Sequence, residues 1–200
     1  MEEAIAPFAA ALLAGGKSRR FGADKALLDC GGAPLWQCQL DRLSALSPAR
    51  LFLSAADQVP VGAAARAEVI RDSGGAGPLA GIAACLAAAG GLPLLLLAVD
   101  MPLMSADCLR AVLRFAGPAG GAVPVEGGRL QPLAALYPAA AAEIARRRLA
   151  AGDLSATGFA RELDAQSMVR RWPVPGEFPH CFANANTPEE WRALQAEARG

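Results

Sequence analysis

An apolar run stops at Gly15 and Gly16, and Lys17, Ser18, Arg19, Arg20 and Lys25 follow within ten residues. Glycines let main-chain N–H groups come close to an anion, and basic side chains add charge-assisted hydrogen bonds. The mixture suits a triphosphate; a solvated basic loop is the plain alternative. The chain has 19 Lys+Arg but only two lysines, Lys17 and Lys25, both in this stretch. A compact ammonium acts there as a point charge. The stretch is not a P-loop, because the first glycine of that motif would fall on Ala11.

Three more stretches carry polar groups where packing does not ask for them. In RDSGGAGPLAGI (Arg71–Ile82), Gly75–Ala80 formally fits the dinucleotide pattern G-x-G-x-x-A. Asp72 and Ser73 separate it from its strand, Pro78 intrudes, and such a fingerprint belongs on a first strand. A dinucleotide-binding oxidoreductase therefore stays as a second reading. In LLLLAVDMPLM, Asp100 ends a wholly apolar run. A carboxylate there asks for a cation, a metal or a ribose; Mg²⁺ takes one or two carboxylates and completes its shell with phosphate oxygens and water. A helix cap or an ion pair with an arginine are the plain alternatives. In FANANTPEE, Asn184 and Asn186 are the only asparagines of the chain. At i and i+2 of an extended segment they face one way and can read a heterocycle, unless Asn186 merely begins a turn.

The elements that must position these groups follow from the pattern. Strands are expected at Phe8–Leu13, too continuously apolar to be half-exposed, and at Arg50–Ala55, Glu68–Asp72 and Leu92–Asp100. Helices are expected from Pro34 to Leu46, from Leu79 to Ala89, from a Ser105 cap to Phe115, and from Ala139 to Ala150. GAVPVEGGRLQPLAALYP reads as two strands joined at Gly127-Gly128. Residues 151–180 give no clear pattern. Thr187, Pro188 and two acids start a last helix. Alternating strands and helices give an α/β fold: a three-layer sandwich, a Rossmann-like, mainly parallel sheet with helices on both faces, in one domain over 1–200. Ligands of such folds collect at the carboxyl ends of strands. The first three motifs fall there.

Composition removes other classes. Net charge is zero, so neither nucleic acid nor an anionic membrane is favoured globally. The five cysteines form no C-x-x-C pair and there is one histidine, which argues against zinc and fits reduced thiols in the cytoplasm. Cys181 follows His180 directly; adjacent side chains point apart, so packing is preferred over a nucleophile. The acidic start MEEA is unlike a secretory signal. The uncharged run Ile82–Val99 is broken by Gly90, Gly91 and Pro93, so a helix, a turn and a strand explain it better than a membrane span.

Taken in order, LLAGGKSRRFGADK, DSGGAGPLAGI, VDMPLM, QPLAALY and FANANTPEE resemble the molybdenum cofactor guanylyltransferases, within the wider nucleotidyltransferase superfamily, from about residue 8 to residue 195. The resemblance implies transfer of GMP from GTP to molybdenum-bound molybdopterin, with Mg²⁺ and release of pyrophosphate. It implies nucleotide contacts from Leu13, Ala14, Gly15, Lys25, Ser54, Asp72, Gly77, Gly81 and Asp100, and Mg²⁺ on Asp100. Arg19, Lys25 and Asp100 take the catalytic roles, and Asn184 and Asn186 the pterin. Two positions depart: Ser54 stands near where the family often has asparagine, and Phe21 where it has methionine. Implied partners are GTP and the pterin as substrates, with transient contacts to cofactor-delivery proteins or molybdoenzyme apo-proteins, and no nucleic acid or membrane. A molybdopterin cytidylyltransferase, which usually reads L-A-A-G and lacks G-P-L-A-G, is the nearest competitor. A non-catalytic assembly module is disfavoured by the presence of both Lys25 and Asp100.

Overall fold

The computed structural model describes residues 5–14, 25–55, 59–71, 77–117, 120–185, 190–192 and 194. Gly15, Lys17, Arg19, Phe21, Asp72 and Asn186 lie outside the described residues, and of Lys25 only the main chain is described. In chain order the elements are β1 (Ala9–Leu13), α1 (Leu35–Ser44), β2 (Arg50–Ala55), β3 (Glu68–Arg71), α2 (Gly77–Ala88), β4 (Leu94–Ala98), α3 (Ala106–Ala116), β5 (Gly121–Glu126), β6 (Arg129–Leu130), β7 (Ala134–Tyr137), α4 (Ala141–Ala150), α5 (Ala156–Ala165) and β8 (Val169–Pro173).

The strands make one mixed sheet. β3, β2, β1 and β4 lie side by side and parallel, and β7 joins β4 antiparallel. β5 pairs antiparallel with β7 and β6 and parallel with β8. Strand alternation sends the β1 side chains to two separate cores. Ala10 and Leu12 pack with Leu40 of α1 and Leu109 of α3; Ala9, Ala11 and Leu13 pack with Leu79 of α2 and Phe159 of α5. Helices therefore cover both faces, and the three-layer α/β sandwich expected from the sequence is the fold observed. No helix among the described residues is long and apolar enough to cross a membrane.

β4, like β1, is buried along its whole length. Leu94, Leu95, Leu96 and Leu97 all have 0% exposure, and each fully buried leucine contributes about 1.5–3 kcal/mol. Two on each face fix the strand against both helix layers, so the turn leaving β4 starts from a rigid base. The chain starts at β1, steps out to β2 and β3, and then returns to place β4 on the other side of β1. The order reverses between β1 and β4. In open α/β sheets the ligand crevice opens at such a switch point, beyond the carboxyl ends of the strands.

Two regions differ from expectation. Residues 121–138 form three strands rather than two. The Gly127-Gly128 turn, with φ of +54° and +76°, closes β5 onto a two-residue β6. Pro132 has no N–H to give to a ladder, so the chain bends there and restarts as β7 between β4 and β5; the buried Tyr137 hydroxyl donates to the Pro132 carbonyl at 2.6 Å. Residues 151–180 hold α5 and β8. Ser155 caps α5, its Oγ accepting from Gly158 N at 2.9 Å. Gly158 weakens the helical pattern, yet a Cβ there would meet the guanidinium of Arg148, which is paired with Glu162 at 2.6 Å and with Asp153. The start of the last helix, Thr187, lies outside the described residues; residues 190–192 are helical.

Candidate active site

Parallel register brings the predicted strand ends together. Leu13 lies opposite Ser54 on one side and Ala98 on the other, and Ala55 lies opposite Arg71. Beyond these pairs, Ala14 N donates to the Ser54 carbonyl at 2.9 Å and Val99 N to the Leu13 carbonyl at 3.1 Å. Ala14, the last described residue before Gly15, and Asp100, two residues past β4, thus flank the switch point. Ala98 N is held by the Leu133 carbonyl at 2.8 Å, so the QPL turn braces the same edge. Ser54 is fully buried. It shares the face of Phe52 on β2, which is the α2 face; its described contribution to the crevice edge is its main-chain carbonyl.

The glycine-rich loop ends at this edge. β3 stops at Arg71 and α2 begins at Gly77, so the α2 N-terminus, whose first N–H groups have no intrahelical partner, lies on the side of the strand carboxyl ends. Gly77 has φ of +68°, and a Cβ on it would stand 3.3 Å from both Cβ and O of Leu154. A side chain there is disfavoured by conformation and by space together. Gly81 is buried one turn further along the helix, on the same face as Gly77. The Gly75–Ala80 pattern thus follows the third strand, at the edge of the parallel set, not the first strand, which removes the dinucleotide fingerprint's required place.

The C-terminal segment closes the crevice from the other side. Ala185 N donates to the Asp100 carbonyl at 3.2 Å, and Cys181, Phe182 and Ala185 are buried. Asn184 is exposed between half-buried Ala183 and buried Ala185, so its amide faces outward beside the Asp100 turn. The structure brings Leu13, Ala14, Ser54, Asp100 and Asn184 to one edge, with Gly77 opening the helix beside it.

Cys181 has 5% exposure while His180 is exposed at φ of +59°. One faces the core and the other solvent, which bears out the packing reading. The Cys181 neighbours are Cys108 and the α3 cap Ser105, whose Oγ is 3.9 Å from Cys181 Sγ. Hydrogen bonding between the neighbouring Cys108 and Cys181 thiols raises the titration of Cys108 and lowers that of Cys181.

Among the described residues no three His, Cys, Asp or Glu side chains gather as a metal cluster. The donor described at the crevice is a hard carboxylate, half-buried at a main-chain turn. That fits Mg²⁺ held jointly by protein and phosphate oxygens, and not a soft-ligand metal. Sequence reading missed three groups that shape the edge: Leu154 over Gly77, the Leu133 carbonyl, and Gln39 with Arg42 on α1.

Comparison with known proteins gives a consistent picture. Residues 10–167 match the family model of the MobA-like NTP transferase domain. A probable molybdenum cofactor guanylyltransferase of Opitutus terrae is 38% identical over 187 residues, 91% of this chain and 92% of that protein. A molybdenum cofactor guanylyltransferase of Cereibacter sphaeroides is 38% identical over 183 residues, covering 90% and 91%. The crystal structure of molybdopterin-guanine dinucleotide biosynthesis protein A from Archaeoglobus fulgidus superposes with a TM-score of 0.76 at 24% identity, over 96% of this chain and all of that one. At that identity the likeness speaks for the fold.

Proposed function

We propose a function for this chain from one premise: the chain belongs to the MobA-like NTP transferase family. It transfers GMP from GTP to molybdenum-bound molybdopterin, forming the guanine dinucleotide form of the cofactor and pyrophosphate. The observation that supports this reading is the switch point of the sheet, where the end of β1 at Leu13 and Ala14, the start of α2 at Gly77 and the Asp100 turn lie at the carboxyl ends of the parallel strands.

Each group has its own part in the transfer. A terminal phosphate oxygen of the pterin attacks the α-phosphorus of GTP in line; the bond to the β-phosphate oxygen breaks and pyrophosphate leaves with that electron pair. The attacking phosphate is already ionised, so no side chain has to remove a proton. Catalysis is then positioning and charge stabilisation. Leu13, Ala14 and Gly15 hold the nucleotide with main-chain groups. Arg19 and Lys25 neutralise phosphate charge. Ser54, Asp72, Gly77 and Gly81 contact the nucleotide. Guanine presents O6 as an acceptor and N1–H and N2–H as donors, a pattern that main-chain groups of a tight loop match. Asp100 would hold Mg²⁺, which when bound offsets charge on the phosphate oxygens. GTP and the pterin are the partners this chemistry requires.

Asn184 and Asn186 then bind the pterin, since the strand-end groups already occupy the nucleotide and metal. Asn→Asp keeps shape, turns amide donors into acceptors and adds charge, at about 1–3 kcal/mol per lost contact. In Asn184→Asp and Asn186→Asp, molybdopterin affinity measured by fluorescence titration is expected to fall, with GTP affinity kept within a few-fold. Loss of GTP binding with pterin binding intact would move this segment to the nucleotide and overturn the division of the crevice.

A further inference from the structure

The turn that leaves β4 carries Asp100, Met101 and Pro102, and all three main-chain carbonyls are held from outside it. The Asp100 carbonyl accepts from Ala185 N at 3.2 Å. The Met101 carbonyl accepts from Gln39 Nε2 at 2.6 Å, and the Pro102 carbonyl from Arg42 Nη1 at 2.8 Å. Gln39 and Arg42 lie one turn apart on α1 and are joined, Arg42 Nη1 donating to Gln39 Oε1 at 3.0 Å. On the other side of Asp100, Val99 N and Ala98 N are held by the Leu13 and Leu133 carbonyls.

Gln39 is an unusual residue for its place. It has 0% exposure, and among the described residues only Gln39 and Ser54 are polar side chains in the buried class. It interrupts the apolar stripe Leu35–Gln39–Leu43, spaced four residues apart on the buried face of α1. Burying an amide is unfavourable unless both its ends are bonded, and here both are. The β4–α3 turn has its own closing bond, Met104 N to the Met101 carbonyl at 3.1 Å, and its own helix cap at Ser105. Closing the turn does not require the glutamine. What Gln39 and Arg42 add is the orientation of two successive peptide planes immediately after Asp100, made stiffer by the fixed φ of Pro102.

We propose that Gln39 and Arg42 are positioning residues: by clamping the Met101 and Pro102 carbonyls they aim the Asp100 carboxylate at the cation that accompanies the triphosphate. This rests on the role given to Asp100 above. Misplacement of a catalytic group by about 1 Å costs on the order of 100-fold, so a clamp on the adjoining peptides acts on the site without touching substrate.

The test is a binding measurement. The probe is a GTP analogue with a methylene between the α and β phosphorus atoms, titrated by calorimetry into full-length protein with Mg²⁺ and with excess chelator. The ratio of the two affinities is the metal-dependent gain. Gln39→Met keeps length and removes the amide; Arg42→Met removes the second clamp at a half-buried position. Each is expected to shrink the gain about 10-fold or more, with metal-free affinity kept within about 3-fold. Arg42→Lys, which keeps a donor for the Pro102 carbonyl, restores most of the gain. In an Asp100→Asn background, Gln39→Met adds nothing further, as expected of two residues acting through one group. If Asp100→Asn leaves the gain whole, the role of Asp100 fails and the clamp falls with it. If Asp100→Asn abolishes the gain while the clamp variants keep it, or lose metal-free affinity equally, the clamp alone is overturned. Should Gln39→Met not fold, the Arg42 pair decides by the same criteria.

Discussion

Replacing Asp100 by asparagine is expected to lower turnover by at least about 100-fold in protein that remains folded, the loss typical of a removed electrostatic stabiliser. The substitution keeps size, removes the charge and turns one acceptor oxygen into an NH2 donor. Folding should be little affected, because the strand beneath it is fixed by four leucines with 0% exposure and the turn by main-chain bonds from Ala185 and Met104. In the proposed site the charge matters because phosphates are brought to the end of β1 and to the α2 N-terminus, which attracts anions, and a carboxylate among phosphates is unfavourable without a cation. Steady-state turnover across a Mg²⁺ titration checks this. Wild-type-like rates at all Mg²⁺ concentrations would remove Asp100 from the mechanism.

The two lysines are expected to separate cleanly. Lys25→Ala should lower kcat/KM for GTP on the order of 100-fold, whereas Lys17→Ala should stay within a few-fold. The main chain of Lys25 opens a short 3₁₀ turn, Lys25–Leu27. Ala26 of that turn is buried at 1% exposure in the α1-side core, and the Leu28 carbonyl accepts from Leu35 N at 2.8 Å. Lys25 therefore begins an element anchored to the scaffold, which is what a charge that must meet a phosphate repeatedly in one place needs. Lys17 directly follows Gly15-Gly16 in sequence, outside the described residues, and the resemblance gives it no role. Kinetics of the two variants with GTP varied at saturating pterin decide the matter. Equal losses, or the reverse order, would mean the triphosphate has been put in the wrong part of the crevice.

Much of this architecture is legible in the residues. β2 occupies Arg50–Ala55, the span expected of RLFLSA, and Ser105 caps α3 as its position before an amphipathic run implies. Asp100 is readable because it sets a carboxylate against the apolar strand Leu94–Ala98. What escapes is of two kinds. Gly158 hides α5, since a glycine in a helix lowers propensity and the reason for it, the Arg148 guanidinium, comes from a neighbouring helix. Gln39 and Met101 are 62 residues apart, so no local pattern announces their bond. A signal is nonetheless present: a glutamine in the fourth-residue stripe between Leu35 and Leu43 marks a buried polar group that must have a partner. The short β6 and the restart at β7 are likewise a matter of Pro132 and of strand pairing across the sheet, which alternation alone does not convey.

The central claim is transfer of a guanylyl group, and one measurement meets it directly. Purified protein is incubated with molybdenum-bound molybdopterin, Mg²⁺ and an equimolar mixture of GTP, CTP, ATP and UTP, and the pterin products are read by mass spectrometry alongside released pyrophosphate. The expected product is a pterin whose added mass is that of GMP, formed one for one with pyrophosphate and well ahead of any other nucleotide adduct. A product carrying CMP, or nucleotide bound with no adduct and no pyrophosphate, would contradict guanylyl transfer.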